Sequence, residues 1–569
     1  MRNYIYLFCL LSITLFGCTK SFDDSLYDTQ TLNGSFNTTT DVLDLIQGAY
    51  GILQNTELYK NELVKVTVLA ADDMGSTTGD KIIANKIYDA TTVSFSAIYG
   101  AYYNNINNYN FLLEKLPLIK TVSGADSNLK VREEGNVRFF RALCYFDLVR
   151  LFGDVPLRTE TTTSKTNFYV QRSPLDSVYA LILSDLSSAS NLLAYKSSPD
   201  GINLTNKGAA LSLLALANLT YANNLERRGK DAKAYYKMAD SCATIVIKSG
   251  GYSLIPNFAD LWNVDNESSA YGSEVIFGIR FTRDRIVAGN NSQGSSLPMR
   301  YLPPTMGGVT GNKTRAAVGG LGTGSGSYRI QSWFYDYYTS GDYKNDYRGS
   351  FTFLTSWNIT PTSGTKYVSY PSIASNSNDS LPSQFTFINK YKDPKGIDDA
   401  NHENDFFVMR LAEVYLIRAE AQNEYYGSPS ASPNALSDIN QLRARARKAN
   451  ITTPRSTPLD VPAGLSQNDF RKKIFDERGI EFIGEGKRWY DLVRMKGPDG
   501  TGTMYEYQFK TYLPSLPQGL PIYNKTTKTW SSGRVDPLCI VPYKSKYLLF
   551  PIPQSQRDLN NKLTQNNGW

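Results

Sequence analysis

Between Leu129 and Phe152, apolar side chains recur at steps of three and four, so that Val137, Phe140, Cys144, Leu148 and Leu151 share one stripe. That period is helical, and such a stripe has to be buried against another element. Arg138, Arg141 and Arg150 lie off it. Gly153 follows and Pro156 blocks continuation, which makes an orderly helix stop. Similar patterns predict helices over Asp41–Gln54, Ala97–Leu116, Leu175–Leu193, Lys207–Asn223, Ala232–Ser249, Phe406–Tyr425, Ala435–Arg447 and Asn468–Met495. Lys207–Asn223 is rich in alanine, whose small side chain lets two helices approach closely. Paired helices of this length in succession look like tetratricopeptide-type repeats, without their strict consensus. The expected fold class is mainly α: a tetratricopeptide-like helical repeat scaffold with long irregular loops and a few short strands.

From Arg283 to Asp398 the helical period fades, and Gly, Ser, Asn and Thr dominate. Glu274–Phe281 and Gln384–Ile388 read as short strands. Aromatics are dense there, among them Tyr301, Tyr328, Trp333, Tyr335, Trp357, Tyr367 and Tyr370. Disordered chain is poor in aromatics, and long irregular segments in compact domains are commonly functional. The segment therefore reads as ordered binding loops.

The N-terminus carries an address. Arg2 precedes twelve nearly uninterrupted apolar residues, Ile5 to Phe16. As a helix they span about 18 Å, too short for a bilayer core of about 30 Å. They read as the apolar core of a signal peptide. Leu15-Phe16-Gly17-Cys18 resembles a bacterial lipobox, which implies lipid on Cys18 and removal of residues 1–17. Residues 18–40 then form a tether, whose Asp23-Asp24 pair resembles a surface-export signal. No other stretch is apolar for long enough to span a membrane, so the lipid is the expected anchor.

Composition removes several function classes. Sixty basic and 53 acidic side chains give a net charge of only +7, without a basic run or zinc-finger spacing, so nucleic acid is not an expected partner. Cys144, Cys242 and Cys539 are an odd, widely spaced set and make no disulfide framework. His402 is the sole histidine, which excludes a multi-histidine metal site and leaves one candidate for any Ser-His or Cys-His mechanism.

Several segments, in order, resemble the SusD/RagB family of Bacteroidetes outer-membrane lipoproteins. Val137-Arg138-Phe139-Phe140-Arg141-Ala142 through Tyr145 to Leu157 is similar to the family hallmark, and Tyr103, Ile106 and Asn110 fit the helix motif before it, with Tyr99 where the family commonly has Trp. Further on come Arg410 to Ala421, Glu477-Arg478 with Glu481-Phe482, Gly486-Lys487-Arg488-Trp489-Tyr490-Asp491-Leu492, Pro551-Ile552-Pro553 and the closing Gln565 to Gly568. The resemblance implies a SusD-like helical repeat region over residues 41–255. A C-terminal region, 256–569, carries ligand-binding loops at about 283–398, and the two pack as one globular unit. It also implies a cell-surface, non-catalytic protein that captures oligo- or polysaccharide and delivers it to a SusC-like TonB-dependent transporter. Some family members take peptides instead.

The spacing of Glu477, Arg478, Glu481 and Arg488, and of Arg410, Glu413, Arg418 and Glu420, suits ion pairs within and between helices. These residues read as scaffold, with specificity left to loops. Sugars need aromatic faces and amide or charged partners. The aromatic segment offers Trp333 and Trp357 as ligand-contact candidates, and by family analogy Tyr99 and Asn104 at the early helix and Asp73 in the turn before it form the other wall. The rival class, a surface glycoside hydrolase, requires two carboxylates about 5–9.5 Å apart, and nothing in the sequence singles out a pair. No cofactor is expected. A structural calcium ion among the loop acids stays open, although no EF-hand spacing occurs.

Overall fold

The computed structural model describes residues 46–569 apart from residues 77, 120–123, 164–167, 197–204, 284–293, 304–323, 360–365, 371–379, 397–399, 450 and 525. Cys18, the signal segment and most of the tether lie outside the described residues. The predicted helices appear close to their expected bounds. Residues 46–54 of the first are described and are helical. The others are α2 (Val93–Lys115), α3 (Gly124–Phe152), α4 (Leu175–Leu192), α5 (Lys207–Arg227), α6 (Lys233–Lys248), α7 (Leu411–Tyr426), α8 (Ala435–Lys448), α9 (Gln467–Phe482) and α10 (Arg488–Arg494). The short helices α1 (Glu62–Leu69), ahead of α2, and α11 (Gln554–Leu559), in the C-terminal segment, were not predicted. Each long helix from α2 to α7 packs on the next, and α7 packs further on α8 and α9. This stacking is the mainly α scaffold that the periodicity implied.

The stripe on α3 is buried as expected, with Val137, Phe140, Cys144, Leu148 and Leu151 fully covered. α5 is rich in alanine and leucine and is buried on every face from Gly208 to Asn223, while its last turn, with Asn224, Glu226 and Arg227, reaches solvent. Asn206 caps it, its side-chain oxygen accepting from the Ala209 N–H at 3.0 Å. Among the described residues, no helix is long and apolar enough to cross a membrane.

Two predicted helices are corrected. Phe406–Arg410 is a strand, β7, rather than the first turn of α7; it pairs antiparallel with β2 (Val275–Ile279). Its apolar run is continuous with that of α7, so composition does not mark the change, but the ladder to β2 satisfies its backbone. The predicted helix over 468–495 is broken into α9 and α10. Gly484 and Gly486 sit between them with φ of 80° and 67°, a left-handed conformation that glycine adopts without strain.

The aromatic segment is only partly irregular. β1 (Met74–Gly75) pairs with β3 (Arg329–Ile330), and β4 (Ser356–Ile359), β5 (Lys366–Ser369) and β6 (Ser380–Pro382) form a three-stranded sheet. A short helix, Ser332–Tyr338, follows β3.

The ion pairs predicted for α9 are made, mostly across elements and out of contact with water. Glu481 accepts from Arg348 at 3.0 Å, from Arg410 at 2.8 Å, and from Arg445. Arg410 also reaches Glu274 at 2.7 Å and Glu485 at 2.9 Å. Arg443 bonds Glu477 at 2.9 Å, and Arg478 bridges Glu413 and Asp491 at 2.9 and 2.7 Å. The sole histidine is buried beside Asp393, its Nδ1 3.6 Å from the carboxylate.

Candidate functional site

A groove of about 380 Å³ opens where α2, the strand-like strip after α3 and the C-terminal segment meet. That volume is in the range of small-ligand sites. α2 supplies the floor: Tyr99, Tyr103, Asn104, Ile106, Asn107 and Asn110. Asn104, Asn107 and Asn110 follow one another at steps of three, so one face of α2 carries all three amides.

The strip 156–162 forms one wall, and α2 and α3 hold it by its backbone. Tyr103 donates to the Pro156 carbonyl at 2.7 Å, and Tyr145 to the Arg158 carbonyl at 2.7 Å. The Asn110 amide donates to the carbonyls of Arg158 and Glu160, both at 3.1 Å. Asn107 accepts from the Thr162 N–H at 2.7 Å. Arg141 fixes Asn110 in turn, at 2.9 Å, and is itself held by Asp185 at 2.8 Å. The hallmark arginine thus acts on the groove through a buried relay. Asn110→Ala is expected to cost about 1–3 kcal/mol, because one buried Arg141 N–H and the part-buried Glu160 carbonyl lose their partner, while the Arg158 carbonyl keeps Tyr145. Chemical denaturation reads that loss.

The far wall comes from the other end of the chain. The Asn566 amide donates to the Phe152 and Phe550 carbonyls at 2.9 and 2.7 Å, and the Asn560 amide to the Val170 carbonyl at 2.8 Å. These bonds place Gln556, Leu559, Asn560 and Leu563 opposite α2. The rim is apolar and open: Phe168 is 54% exposed and Leu559 73%. Burial pushes the Tyr99 phenol up to about 12 and raises Tyr103 well above its ordinary value, so both remain neutral. Glu160 is the one acid among the described lining residues, whereas glycoside hydrolysis uses a pair.

Of the five ligand-contact candidates, the structure brings two to this groove. Asn104 is exposed in it. Tyr99 is only 2% exposed and lies beneath Tyr103, with ring centroids 4.8 Å apart, so it supports the floor. The other three lie elsewhere. Trp333 is buried against Phe334 and Tyr512, its indole N–H donating to the Asp72 carbonyl at 3.0 Å. Trp357 packs in a small cluster with Val368 and Phe387. Both rings are used in packing and neither presents a free face. Asp73 is buried just before β1; burial, then the neighbouring Asp72, pushes its carboxyl up to about 7. Sequence reasoning missed Phe168, Gln556 and Asn560. The repeated asparagines of α2 were a signal available for the floor, but the far wall had none.

A second concavity of about 270 Å³ lies on the other side of the C-terminal segment, lined by α3, α4, α5, α10 and residues 545–549 and 566–567.

The sequence model of the SusD family matches residues 273–569. A second family model, described as starch-binding associating with outer membrane, matches residues 22–219. SusD-like protein P2 of Formosa agariphila is 27% identical over 538 residues, which is 91% of this chain and 97% of that protein. The crystal structure of a SusD homolog from Bacteroides thetaiotaomicron superposes with a TM-score of 0.76 at 23% identity, covering 95% of this chain and 99% of the other. A laminarin-binding SusD-like protein superposes with a TM-score of 0.65 at 22% identity, covering 94% and 100%. At these identities the two structural likenesses speak for the fold.

Proposed function

Because this chain belongs to the SusD family, we propose that it captures a neutral oligo- or polysaccharide in the α2 groove, without cleaving it. The observation that carries the proposal is the groove itself. The exposed amide of Asn104, the half-buried amide of Asn560 and the open ring of Phe168 line it together, with one carboxylate in the lining. Amides match sugar hydroxyls as both donors and acceptors, and an aromatic face receives the C–H face of a pyranose. A groove open along one side takes a segment of a long chain without needing its end. The starch-binding description of one matching family and the laminarin-binding neighbour support a glycan as the ligand.

The protein is anchored to the outer membrane through lipid on Cys18, facing outward, and hands its ligand to a SusC-like TonB-dependent transporter. The outer-membrane wording of the matching family supports the location. The lipobox-like Leu15 to Cys18 supports the anchor.

Affinity gels containing plant, algal, host and microbial polysaccharides test the reading, with a parallel peptide mixture and an assay for new reducing ends. Retardation by a neutral polymer without released sugar is expected. Released sugar, or capture of peptides alone, overturns it.

A further inference from the structure

The second concavity differs from the α2 groove in charge. Arg150, Arg227, Arg494 and Lys546 line it, and no carboxylate does among its described lining residues. Two of these cations are neutralised inside the fold: Arg150 pairs with Asp147, and Arg494 with Glu420 and Asp491 at 2.6 and 2.7 Å. The other two are not. Among the described residues, no carboxylate lies within 4.0 Å of Arg227 or Lys546. Arg227 gives one N–H to the Val493 carbonyl at 2.7 Å, and guanidinium has five to give. Lys546 is braced over the Trp569 ring at 3.9 Å, which positions its ammonium without supplying a counter-charge. Desolvation holds both cations below their ordinary pKa, aided at Lys546 by the neighbouring Lys544 and only partly offset by Asp89.

The rest of the lining is suited to a sugar. Asn224, Ser545 and Asn567 supply neutral donors and acceptors at the surface, and Leu175, Leu548 and Leu549 give an apolar floor. A volume of about 270 Å³ is small for a polymer segment and suits a single substituted ring. We propose that this concavity is a second ligand site, which takes a saccharide unit bearing a carboxylate or sulfate, with Arg227 and Lys546 as its anion-binding side chains.

The proposal rests on the glycan-capture reading, and its test separates the two. The full mature chain, with Cys18 replaced, is titrated calorimetrically with glucuronate, glucose 6-sulfate, glucose and inorganic sulfate, at low and high salt. The same titrations are made on the Arg227→Gln/Lys546→Gln double variant. Both side chains reach the surface, so the variant is expected to fold, and retention on the neutral polysaccharide gel checks that it does. The expected result is binding of an anionic sugar over glucose, weakened by salt and weakened about tenfold in the double variant, with neutral retention unchanged. Unchanged affinity in the double variant overturns the proposal. So does inorganic sulfate binding as tightly as the sulfated sugar, which makes this an anion site alone. Neutral retention with no anionic sugar bound overturns this site and leaves the α2 groove standing. Loss of all saccharide binding in the native chain removes both.

Discussion

Glu481→Gln is expected to lower the stability of the folded chain by about 3–5 kcal/mol, the usual cost of removing one partner from a buried ion pair. Glu481 is fully buried on α9 and accepts from three guanidiniums, those of Arg348, Arg410 and Arg445. The amide keeps the volume but loses the charge, so three desolvated cations are left with Glu274, Glu477, Glu485 and Asp346 to compensate them. Burial alone would raise the carboxyl. Arg445, Arg410 and Arg348 outweigh it and hold Glu481 well below the ordinary carboxylate range. A depressed folded pKa contributes stability above the unfolded value of about 4.5, and that stability is lost as pH falls through the folded value. Denaturant unfolding between pH 7 and pH 2 therefore has two readouts. The variant is weaker at neutral pH, and its deficit narrows only as pH falls below about 4.5. A variant as stable as the parent at pH 7 contradicts this account of the network.

Asp73→Asn is expected to act in the opposite direction. The Asp73 carboxyl is buried, its Oδ1 has no hydrogen-bond partner, and burial followed by the charge of Asp72 pushes it up to about 7. Arg488 opposes the shift but is bonded to Asp72, at 2.8 and 3.0 Å. For a carboxyl raised in the folded state, the stabilising contribution is complete below the unfolded pKa near 3.8 and is lost as pH rises towards 7. Three pKa units correspond to about 4 kcal/mol. Asparagine carries no such cost, so the variant gains up to about 4 kcal/mol at pH 8 and little at pH 4. Thermal unfolding across that range reads the difference. Equal curves for variant and parent would mean that Asp73 is ionised and satisfied in the fold.

The scaffold was legible because a helix must show one face to its neighbour. The stripe on α3, the stop at Gly153 and the alanine-rich α5 are local facts of sequence, and the structure uses them as written. β7 was hidden because Phe406–Arg410 joins the apolar run of α7 without a change in composition; its partner β2 lies far away in the chain. The break between α9 and α10 was available in Gly484 and Gly486, outweighed by the strong period on either side.

The α2 groove was half legible for the same reason. Tyr99 and Asn104 lie on one helix, so their proximity is local. The far wall depends on Asn566 reaching Phe152 across 414 positions, which no local pattern announces. Aromatic density misled at Trp333 and Trp357. Abundance of rings does not tell which way they face, and Trp333 is turned inward by a bond to Asp72, 261 residues away.

The central claim is that glycan is held in the α2 groove, and affinity for one retaining polysaccharide tests it most directly. Asn104→Ala, Phe168→Ala and Trp357→Ala are compared with the parent in the same gels, with unfolding curves as a check on folding. Asn104→Ala and Phe168→Ala are each expected to weaken retention about tenfold, near 1.4 kcal/mol, because the exposed amide and ring are removed from the groove. Trp357→Ala is expected to lose stability and keep its affinity. The opposite pattern, with binding lost at Trp357 and intact at Asn104 and Phe168, contradicts the placement of the site and moves it to the 353–388 loops.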